Sequence, residues 1–532
     1  EICACLVGSE MCIRDRSAMN EMPVNNTPAY QEYHPEVIKK YTFSARETIF
    51  AYIAAVLGFL SVKLFAVPLF TEGRIGLGAM IFALLLTVFC LIYPVSRTKF
   101  TFRKALRIAL CISFSVNIFI NPNLLIQFLD LIFVLLVLAY DKLADSDERF
   151  RTIRKFFPAD MFGSLMIIPF AEYGAGAAAL KAPAEKSSSG KNIKSALLGL
   201  IIAVPATLVV CGLLMSADDN FSRIISSIMN DGFTKVIIFI VQLLIGLPVA
   251  FYIFSGCRAS EKQLSKELLK DENYEKNLRS VRFLSPVAGV FSALPVCVLY
   301  VIFFFSQLSY FLSAFMDKLP SNDTIYSEYA RRGFFELCFV SVINLAIILT
   351  LNLFCKDNDK EKRPAAVKAM TCILSVFTLL LISTAVSKMF MYIRVYGLTR
   401  LRVYTSWFML LLFVLFTSVI LSVITKKVNL SKVTVTAFVI MFAALSFCNI
   451  DGVIAKYDLN EYSKGNLPYF SFSMMSDLSS GAAPEIIRYR DTCTDKNEVR
   501  VLDKILDQME NDCDGRTLTV YDIILRNSAN AE

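Results

Sequence analysis

The stretch Val287–Leu308, VAGVFSALPVCVLYVIFFFSQL, runs for 22 residues without a charged side chain. A helix of about 20 apolar residues can cross the hydrocarbon core of a membrane, which is about 30 Å thick. Its apolar residues lie all round the helix rather than in one stripe, which favours lipid on every side over a surface helix of a soluble protein. Val236–Gly256, VIIFIVQLLIGLPVAFYIFSG, repeats the pattern. These stretches predict membrane-spanning helices.

The composition of the whole chain agrees with this prediction. It is 55% hydrophobic and 19% charged, with a mean hydropathy of +0.55, whereas soluble chains are about half apolar and about a quarter charged. We therefore predict an all-α fold, a polytopic transmembrane helix bundle of about eleven spans with a small polar C-terminal tail. The predicted spans are residues 47–70, 75–94, 105–120, 124–140, 195–215, 236–256, 287–308, 334–355, 365–386, 405–425 and 433–449.

Clusters of Lys and Arg follow the second, sixth, eighth and tenth predicted spans. With eleven spans, these loops share one side with the N-terminus, and the positive-inside rule assigns that side to the cytoplasm. We therefore expect a plasma-membrane protein with a cytoplasmic N-terminus and an extracytoplasmic C-terminus. Basic loops also account for the net charge of +8, so no nucleic-acid partner is expected.

Polar segments divide the chain further. Residues 1–17, EICACLVGSEMCIRDRS, resemble a translated sequencing-library adapter, so we treat them as non-biological and expect natural initiation at Met19 or Met22. The remaining parts are a polar cytoplasmic segment (18–46), spans one to four (47–140), a cytoplasmic linker whose apolar piece around Phe162–Ala179 fits an interfacial helix (141–194), spans five to eleven (195–449) and the extracytoplasmic tail (450–532).

The chain lacks the patterns of several enzyme classes. No Walker loop, dinucleotide fingerprint, nucleophile elbow or zinc-protease motif occurs. His34 is the only histidine and no C-x-x-C pair appears. We therefore expect no metal site and no cofactor, and a non-enzymatic role is favoured over an enzymatic one.

One outward connection breaks the charge rule. MYIRVYGLTRLRVYTSWFM (Met391–Met409) joins spans nine and ten, yet it mixes arginines and tyrosines. The outward stretch before span eight, DTIYSEYARRGFFEL, does the same. The candidate ligand-binding residues of the two stretches are Tyr329, Arg331, Arg332, Tyr392, Arg394, Tyr396, Arg400 and Arg402.

Two interpretations of these arginines are open. They pair with acids such as Asp218, Asp219, Glu328 or Glu336 and join neighbouring spans, or they form a site for an anionic ligand, since phosphates suit guanidinium groups. The second interpretation gives the first functional hypothesis: a surface for an anionic lipid headgroup, a cell-wall polymer or a partner protein, assembled with SADDNF (Ser216–Phe221) as a third outward loop. Asp218 and Asp219 themselves fit a helix cap better than a metal pair.

Asp130 is the only acidic residue well inside a predicted span, and Asn117 lies in the preceding span. Ionisable residues inside spans often mark ion or proton pathways. A small-solute or ion transporter that uses Asp130, Asn117 and Asn344 is therefore the second hypothesis. A membrane-embedded transferase or hydrolase that uses Asp218, Asp219 and Glu328 is the third.

The order of four motifs, SAD..F, YSEYARRGFFEL, YGLTRLR and NIDGVIAKY, resembles a family of uncharacterised bacterial polytopic membrane proteins catalogued as a domain of unknown function. The resemblance extends from about the third span into the tail. It rests on Tyr329, Ala330, Arg331, Gly333, Phe334, Tyr396, Gly397, Leu398, Thr399 and Arg402. The tail departs from the family pattern at Asp458, where asparagine is expected. The resemblance supports the architecture and implies no reaction.

Overall fold

The computed structural model describes residues 41–93, 100–182, 203, 207, 210–228, 231–315, 326–357, 363–425, 428–467, 470–511 and 516–529. The chain divides into two units, Glu1–Thr42 and Phe43–Glu532. Only Tyr41 and Thr42 of the first unit are described, and all of the described helices belong to the second. Every regular element in the described ranges is a helix, which confirms the predicted all-α class.

Helices α1–α5, α7 and α9–α13 form the bundle, the shorter helices α6 and α8 lie in its connections, and helices α14–α17 come after it in the chain. Two of the bundle helices contain a π-helical turn: α1 at Val62–Ala66 and α5 at Gly163–Ile167. The bounds are α1 Ala45–Thr71, α2 Leu77–Ile92, α3 Phe102–Ile120, α4 Leu124–Ser146, α5 Phe157–Lys181, α6 Asp219–Ile228, α7 Asp231–Glu261, α8 Asp271–Val281, α9 Pro286–Phe315, α10 Tyr326–Phe354, α11 Ala365–Tyr396, α12 Arg400–Thr425, α13 Leu430–Phe447, α14 Ile450–Ser463, α15 Ala483–Thr492, α16 Lys496–Asn511 and α17 Val520–Ala529.

Nine helices within the described ranges are long and apolar enough to cross a membrane: α1, α4, α5, α7, α9, α10, α11, α12 and α13. Large apolar side chains on them face outward, such as Phe291, Phe305 and Phe339, which are 65%, 70% and 68% exposed. A multi-pass membrane protein accounts for this exposure, since lipid covers such side chains. The count of about eleven spans is not confirmed: α2 is shorter, α3 is not among the nine, and most of the predicted span 195–215 lies outside the described residues.

The bundle has two distinct ends, which we name the tail face and the basic face. At the tail face, the helices after α13 contact the turns between bundle helices: the backbone N–H groups of Leu77 and Gly78 donate to the carbonyls of Leu518 and Arg516 at 3.2 and 3.0 Å. At the basic face, the start of α13 contacts the chain after α4, with Ser431 donating to the carbonyl of Lys155 at 2.9 Å.

Helix α5 keeps to the basic half of the bundle. Near its start, Ser164 donates to the carbonyl of Ala139, and near its end the carbonyl of Leu180 accepts from Tyr52. At a rise of about 1.5 Å per residue, both partners lie within about 15 Å of the basic end of their own helices. In its middle, Glu172 pairs with Arg258 at 3.4 Å, again at the basic end. Both ends of α5 therefore contact bundle helices near their basic ends, although α5 is also one of the nine helices long and apolar enough to cross a membrane.

The bundle packs as two groups. In the first, α1 crosses α7 at Gly58 and Gly246, where an added Cβ on Gly246 would lie 2.6 Å from the Gly58 carbonyl oxygen. Small residues at such crossings let helix backbones approach closely in a membrane. The second group, α9–α12, shares one apolar core that includes Phe334, Leu374 and Phe416. Helix α13 packs against α12, where Trp407 donates to the carbonyl of Met441 at 2.9 Å, and against α3, through the stacked rings of Phe442 and Phe114.

Candidate functional site

The YGLTRLR loop joins α11 to α12 at the tail face. Gly397 ends α11 with a φ of +74°, a left-handed conformation that glycine adopts without strain. The next backbone N–H, of Leu398, donates to Oδ1 of Asp458 in α14 at 2.7 Å. A Cβ on Gly397 would lie 2.5 Å from that oxygen. The loop is therefore shaped to fit α14, the helix that carries the NIDGVIAKY motif.

Arg402 holds the same loop from the other side. Its Nη1 donates to the carbonyls of Tyr396, at 2.9 Å, and of Gly397. Its guanidinium lies 4.2 Å from the centre of the Tyr392 ring. A cation at the last carbonyls of a helix is stabilised by the helix dipole. Tyr392, Tyr396 and Arg402 therefore lie together. Their contacts are made within the loop and connect the end of α11 to the start of α12.

Arg400 makes the central contact of this region. Its Nε and Nη2 donate to both oxygens of Asp451 in α14 at 2.7 and 2.5 Å. Asp451 is 1% exposed and also accepts from Ser479 and, at 3.4 Å, from Asn123. One carboxylate therefore ties together α12, the turn between α3 and α4, and the chain after α14. The acids predicted from the sequence as partners for the arginines did not include Asp451.

A second polar cluster lies below that turn, inside the bundle. Oδ2 of Asp130 accepts from Asn117 at 2.8 Å and Oδ1 accepts from Ser446 of α13 at 2.5 Å. Asn121 donates to the Ser446 carbonyl at 2.9 Å. Asp130 is 0% exposed, and both its oxygens have partners. Two of the intramembrane candidates named from the sequence, Asn117 and Asp130, are therefore in contact.

Asn344 does not join this cluster. It accepts from Tyr300 and donates to Thr378 at 2.9 Å, within the α9–α11 group. The structure therefore does not bring the three intramembrane candidates into one site.

The remaining residues named from the sequence lie apart from these two clusters or outside the described side chains. Arg394 is exposed and lies 4.7 Å from the centre of the Phe390 ring. Asp218 accepts from the Phe221 N–H at 2.6 Å, which confirms the predicted cap. Tyr329, Arg331 and Arg332 belong to α10, but their side chains lie outside the described residues. The three-loop outward surface therefore stays a prediction.

A polar cavity of about 190 Å³ lies at the tail face beside Arg400. Asp522 lines it and is 2% exposed. Its Oδ2 accepts from the N–H and hydroxyl of Thr519 at 2.9 and 2.7 Å, whereas its Oδ1 has no hydrogen-bond partner among the described residues. The cavity is lined by Gly73, Arg74, Ile75, Pro122, Leu124, Gln127, Arg400, Asp477, Leu478, Ser479, Thr517, Thr519 and Asp522.

The tail residues of this cavity were not among the candidates predicted from the sequence. T-V-Y-D (Thr519–Asp522) is a recognisable helix-start pattern, and it would have located α17. It could not have shown that α17 lies against the turns of the bundle. Within the described ranges, no group of three or more His, Cys, Asp or Glu side chains is placed to hold a metal ion.

Burial also affects one acid of the loop contact. Asp458 is 2% exposed, and burial raises its pKa from the ordinary value to about 6, against the smaller opposing effects of the Leu398 N–H and Arg402. Its charge therefore changes at mildly acidic pH.

Comparison with known proteins supplies a family but no activity. No curated protein and no solved structure matches the chain. Residues 108–489, from α3 to α15, match the family described as Domain of unknown function (DUF4153). The match includes the YGLTRLR loop, Asp451 and Asp458. Because it covers well over half of the chain, the protein belongs to the DUF4153 family.

Proposed function

We propose that this is a plasma-membrane protein that binds one small phosphate-bearing headgroup, from a lipid or a lipid-linked cell-wall precursor, in the tail-face cavity. The observation that carries the proposal is the buried Oδ1 of Asp522, which has no hydrogen-bond partner in the described part of the chain and lies in the same cavity as Arg400. A ligand with an anionic group and a hydrogen-bond donor would pair with both the Arg400 guanidinium and the Asp522 carboxylate. Phosphate suits the guanidinium, and an amine or hydroxyl suits the carboxylate.

The size of the cavity limits the ligand. At about 30 Å³ for each water-sized unit, a volume of about 190 Å³ has room for one small headgroup but not for several sugar rings. The position of the cavity supports a membrane-attached ligand, because it opens beside the α1–α2 and α3–α4 turns, where the bundle ends.

Arg400 serves two purposes in this proposal. Its side chain is 34% exposed even though two of its nitrogens bind Asp451. Asp451 fixes the guanidinium, and its exposed part faces the ligand. Arg402 positions the loop, a role that replaces the ligand contact predicted for it from the sequence.

The orientation of the protein is part of the proposal. Loops rich in Lys and Arg favour the cytoplasmic side, so the basic face is cytoplasmic and the tail face extracytoplasmic. The contacts of α5 support this assignment. If α5 does not cross the membrane, the number of spans stays odd, as predicted, and the two ends of the chain lie on opposite sides. The C-terminal helices and the cavity then lie outside the cell.

Binding can be measured through the thermal stability of the full-length protein in detergent, because a ligand that binds the folded state raises its Tm. We expect short-chain phosphatidylethanolamine or phosphatidylglycerol to raise the Tm more than phosphatidylcholine, whose headgroup has no N–H or O–H donor. Arg74→Gln combined with Asp522→Asn should reduce the rise.

The matched control is Arg488→Gln combined with Asp503→Asn. These tail residues have side chains that are 68% and 48% exposed and do not line the cavity. An equal Tm rise in both double variants would contradict the proposal, as would an equal rise with phosphatidylcholine.

A further inference from the structure

A second cavity, of about 280 Å³, lies at the basic face, far from the first. It forms where α3 begins and where the chain leaves α4. It is lined by Thr101, Phe102, Arg103, Lys104, Arg107, Ala144, Asp145 and Arg151. Four of these side chains are cationic and one is acidic.

Two of the cations are fixed by buried acids. Lys104 pairs with Asp145 and Arg107 pairs with Asp141, both at 2.7 Å. The carboxylates are only 3% and 5% exposed, and the cations 14% and 12%. These pairs hold the wall of the cavity in place, because a buried charge pair is costly to break.

The other two cations are held weakly. Arg103 is exposed and donates a long bond, of 3.4 Å, to the carbonyl of Arg151. Arg151 pairs with Glu148, whose side chain is 81% exposed. Exposed pairs of this kind contribute about 0–1 kcal/mol. Both guanidiniums can therefore turn toward a ligand at little cost.

Apolar side chains flank the cavity on its outer side. Phe100, Phe102 and Leu106 are 74%, 83% and 52% exposed. Phe102 and Leu106 are one helical turn apart, on the same side of α3. Lipid would cover such side chains, which supports a position of the cavity at the level where acyl chains meet headgroups.

We propose that this cavity binds the phosphate of an anionic phospholipid in the leaflet next to the basic face. Arg103 and Arg151 would clasp the phosphate as forked donors, Lys104 and Arg107 would supply fixed positive charge behind it, and Phe100 and Phe102 would lie along the acyl chains. Basic pockets between helices on the cytoplasmic side suit such headgroups. A soluble anion would use the arginines and leave the exposed phenylalanines without a role.

The test uses the full-length protein in vesicles of phosphatidylcholine with a minor fraction of phosphatidylglycerol. After detergent extraction, native mass spectrometry measures the ratio of the two lipids retained. We expect the wild type to be enriched in phosphatidylglycerol. Because one surface cation near the membrane contributes about a five-fold preference, Arg103→Gln combined with Arg151→Gln should lower the enrichment about 25-fold.

The matched control is Arg149→Gln. Arg149 pairs with Asp147 at 2.6 Å on the same connection but does not line the cavity. It should keep the wild-type enrichment. If the Arg103→Gln/Arg151→Gln variant retains the same phosphatidylglycerol enrichment as the wild type, the proposal is overturned. Full displacement of the lipid by millimolar glycerol phosphate would also overturn it, because it would show a site for a soluble anion.

Discussion

Arg400, the first residue of α12, and Asp451, in the first turn of α14, form a two-bond ion pair with distances of 2.7 and 2.5 Å. The pair joins the membrane bundle to the helices after it. Asp451 is 1% exposed, so its charge depends on Arg400 for compensation. Breaking a buried pair by removing one partner costs about 3–5 kcal/mol.

We therefore expect Arg400→Ala to lower the free energy of unfolding by about 3–5 kcal/mol, since it leaves the Asp451 carboxylate uncompensated. Trp407, the only tryptophan, lies two turns along α12 and donates to the carbonyl of Met441 at 2.9 Å. Its fluorescence can follow unfolding of this region. The control is Arg488→Ala, which removes an exposed pair with Glu485 and should cost less than about 1 kcal/mol. Equal costs would show that the buried pair has no special role.

Gly397→Ala should weaken the contact between the YGLTRLR loop and α14. At a φ of +74° an alanine is strained, and its Cβ would lie 2.5 Å from Asp458 Oδ1. We expect a loss of about 1–3 kcal/mol in unfolding free energy. Gly465→Ala is the matched control, because its φ is +75° but nothing lies within 4 Å of its added Cβ. A larger effect at Gly465 would exclude the close approach to Asp458 as the cause.

Asp458→Asn should change how stability depends on pH. Burial raises the pKa of Asp458 to about 6 in the folded protein, above the value of about 3.9 in an unfolded chain. Between these values the folded state holds more protons, so stability falls as pH rises through this window and levels off above about 6. Asparagine can still accept the Leu398 N–H without ionising.

The variant should therefore lose this slope and show a Tm at pH 7.5 that is roughly 1–3 °C higher. Thermal unfolding in detergent from pH 4 to 8 measures both effects. Asp491→Asn is the control, since that side chain is 56% exposed. A lower Tm for Asp458→Asn at pH 7.5 would mean that the ionised carboxylate is the stabilising form.

The two clusters show how far the sequence can predict this site. Asn117 and Asp130 lie on either side of the turn between α3 and α4, and antiparallel packing of these two neighbouring helices brings them together. Ser446, the other partner of Asp130, is 316 residues away, and no local pattern points to it. Asn344 shares the chemistry of Asn117 but belongs to a different helix group, which composition cannot show.

Arg400 illustrates the same limit. Its position beside a loop between two spans was predictable from the span pattern, and its charge marked it as unusual. Its partner lies 51 residues further on, beyond another span. Pairing of this kind depends on how α14 folds back over the loop, a tertiary relationship that hydrophobic periodicity does not contain. The acids considered from the sequence lie in other connections between spans, and Asp451 was not among them.

The proposed orientation can be tested by labelling introduced cysteines. Lys464→Cys lies after α14 near the tail face, and Lys270→Cys lies before α8 near the basic face; both positions are exposed. We expect a membrane-impermeant maleimide to label Lys464→Cys on intact cells and Lys270→Cys only after permeabilisation, each measured above the labelling of the parent protein. The opposite result would invert the orientation and place the proposed cavity in the cytoplasm.

Substitutions of Asp130 can distinguish a structural role of its cluster from a role in transport. Both its oxygens accept hydrogen bonds, and asparagine can keep the bond from Asn117 while donating to the Ser446 hydroxyl. Leucine can do neither: it would remove the acceptor of the Ser446 hydroxyl and one of the bonds of the Asn117 amide, which also donates to Ser446, at about 1–3 kcal/mol for each lost partner. For a structural cluster, we expect Asp130→Asn to keep nearly wild-type stability and Asp130→Leu to lose about 2–5 kcal/mol. If the wild-type protein supports ion flux in vesicles and Asp130→Asn abolishes that flux without changing stability, the result would instead support a transporter. The isosteric change separates the two roles, because it removes the ionisable proton and leaves the shape of the cluster unchanged.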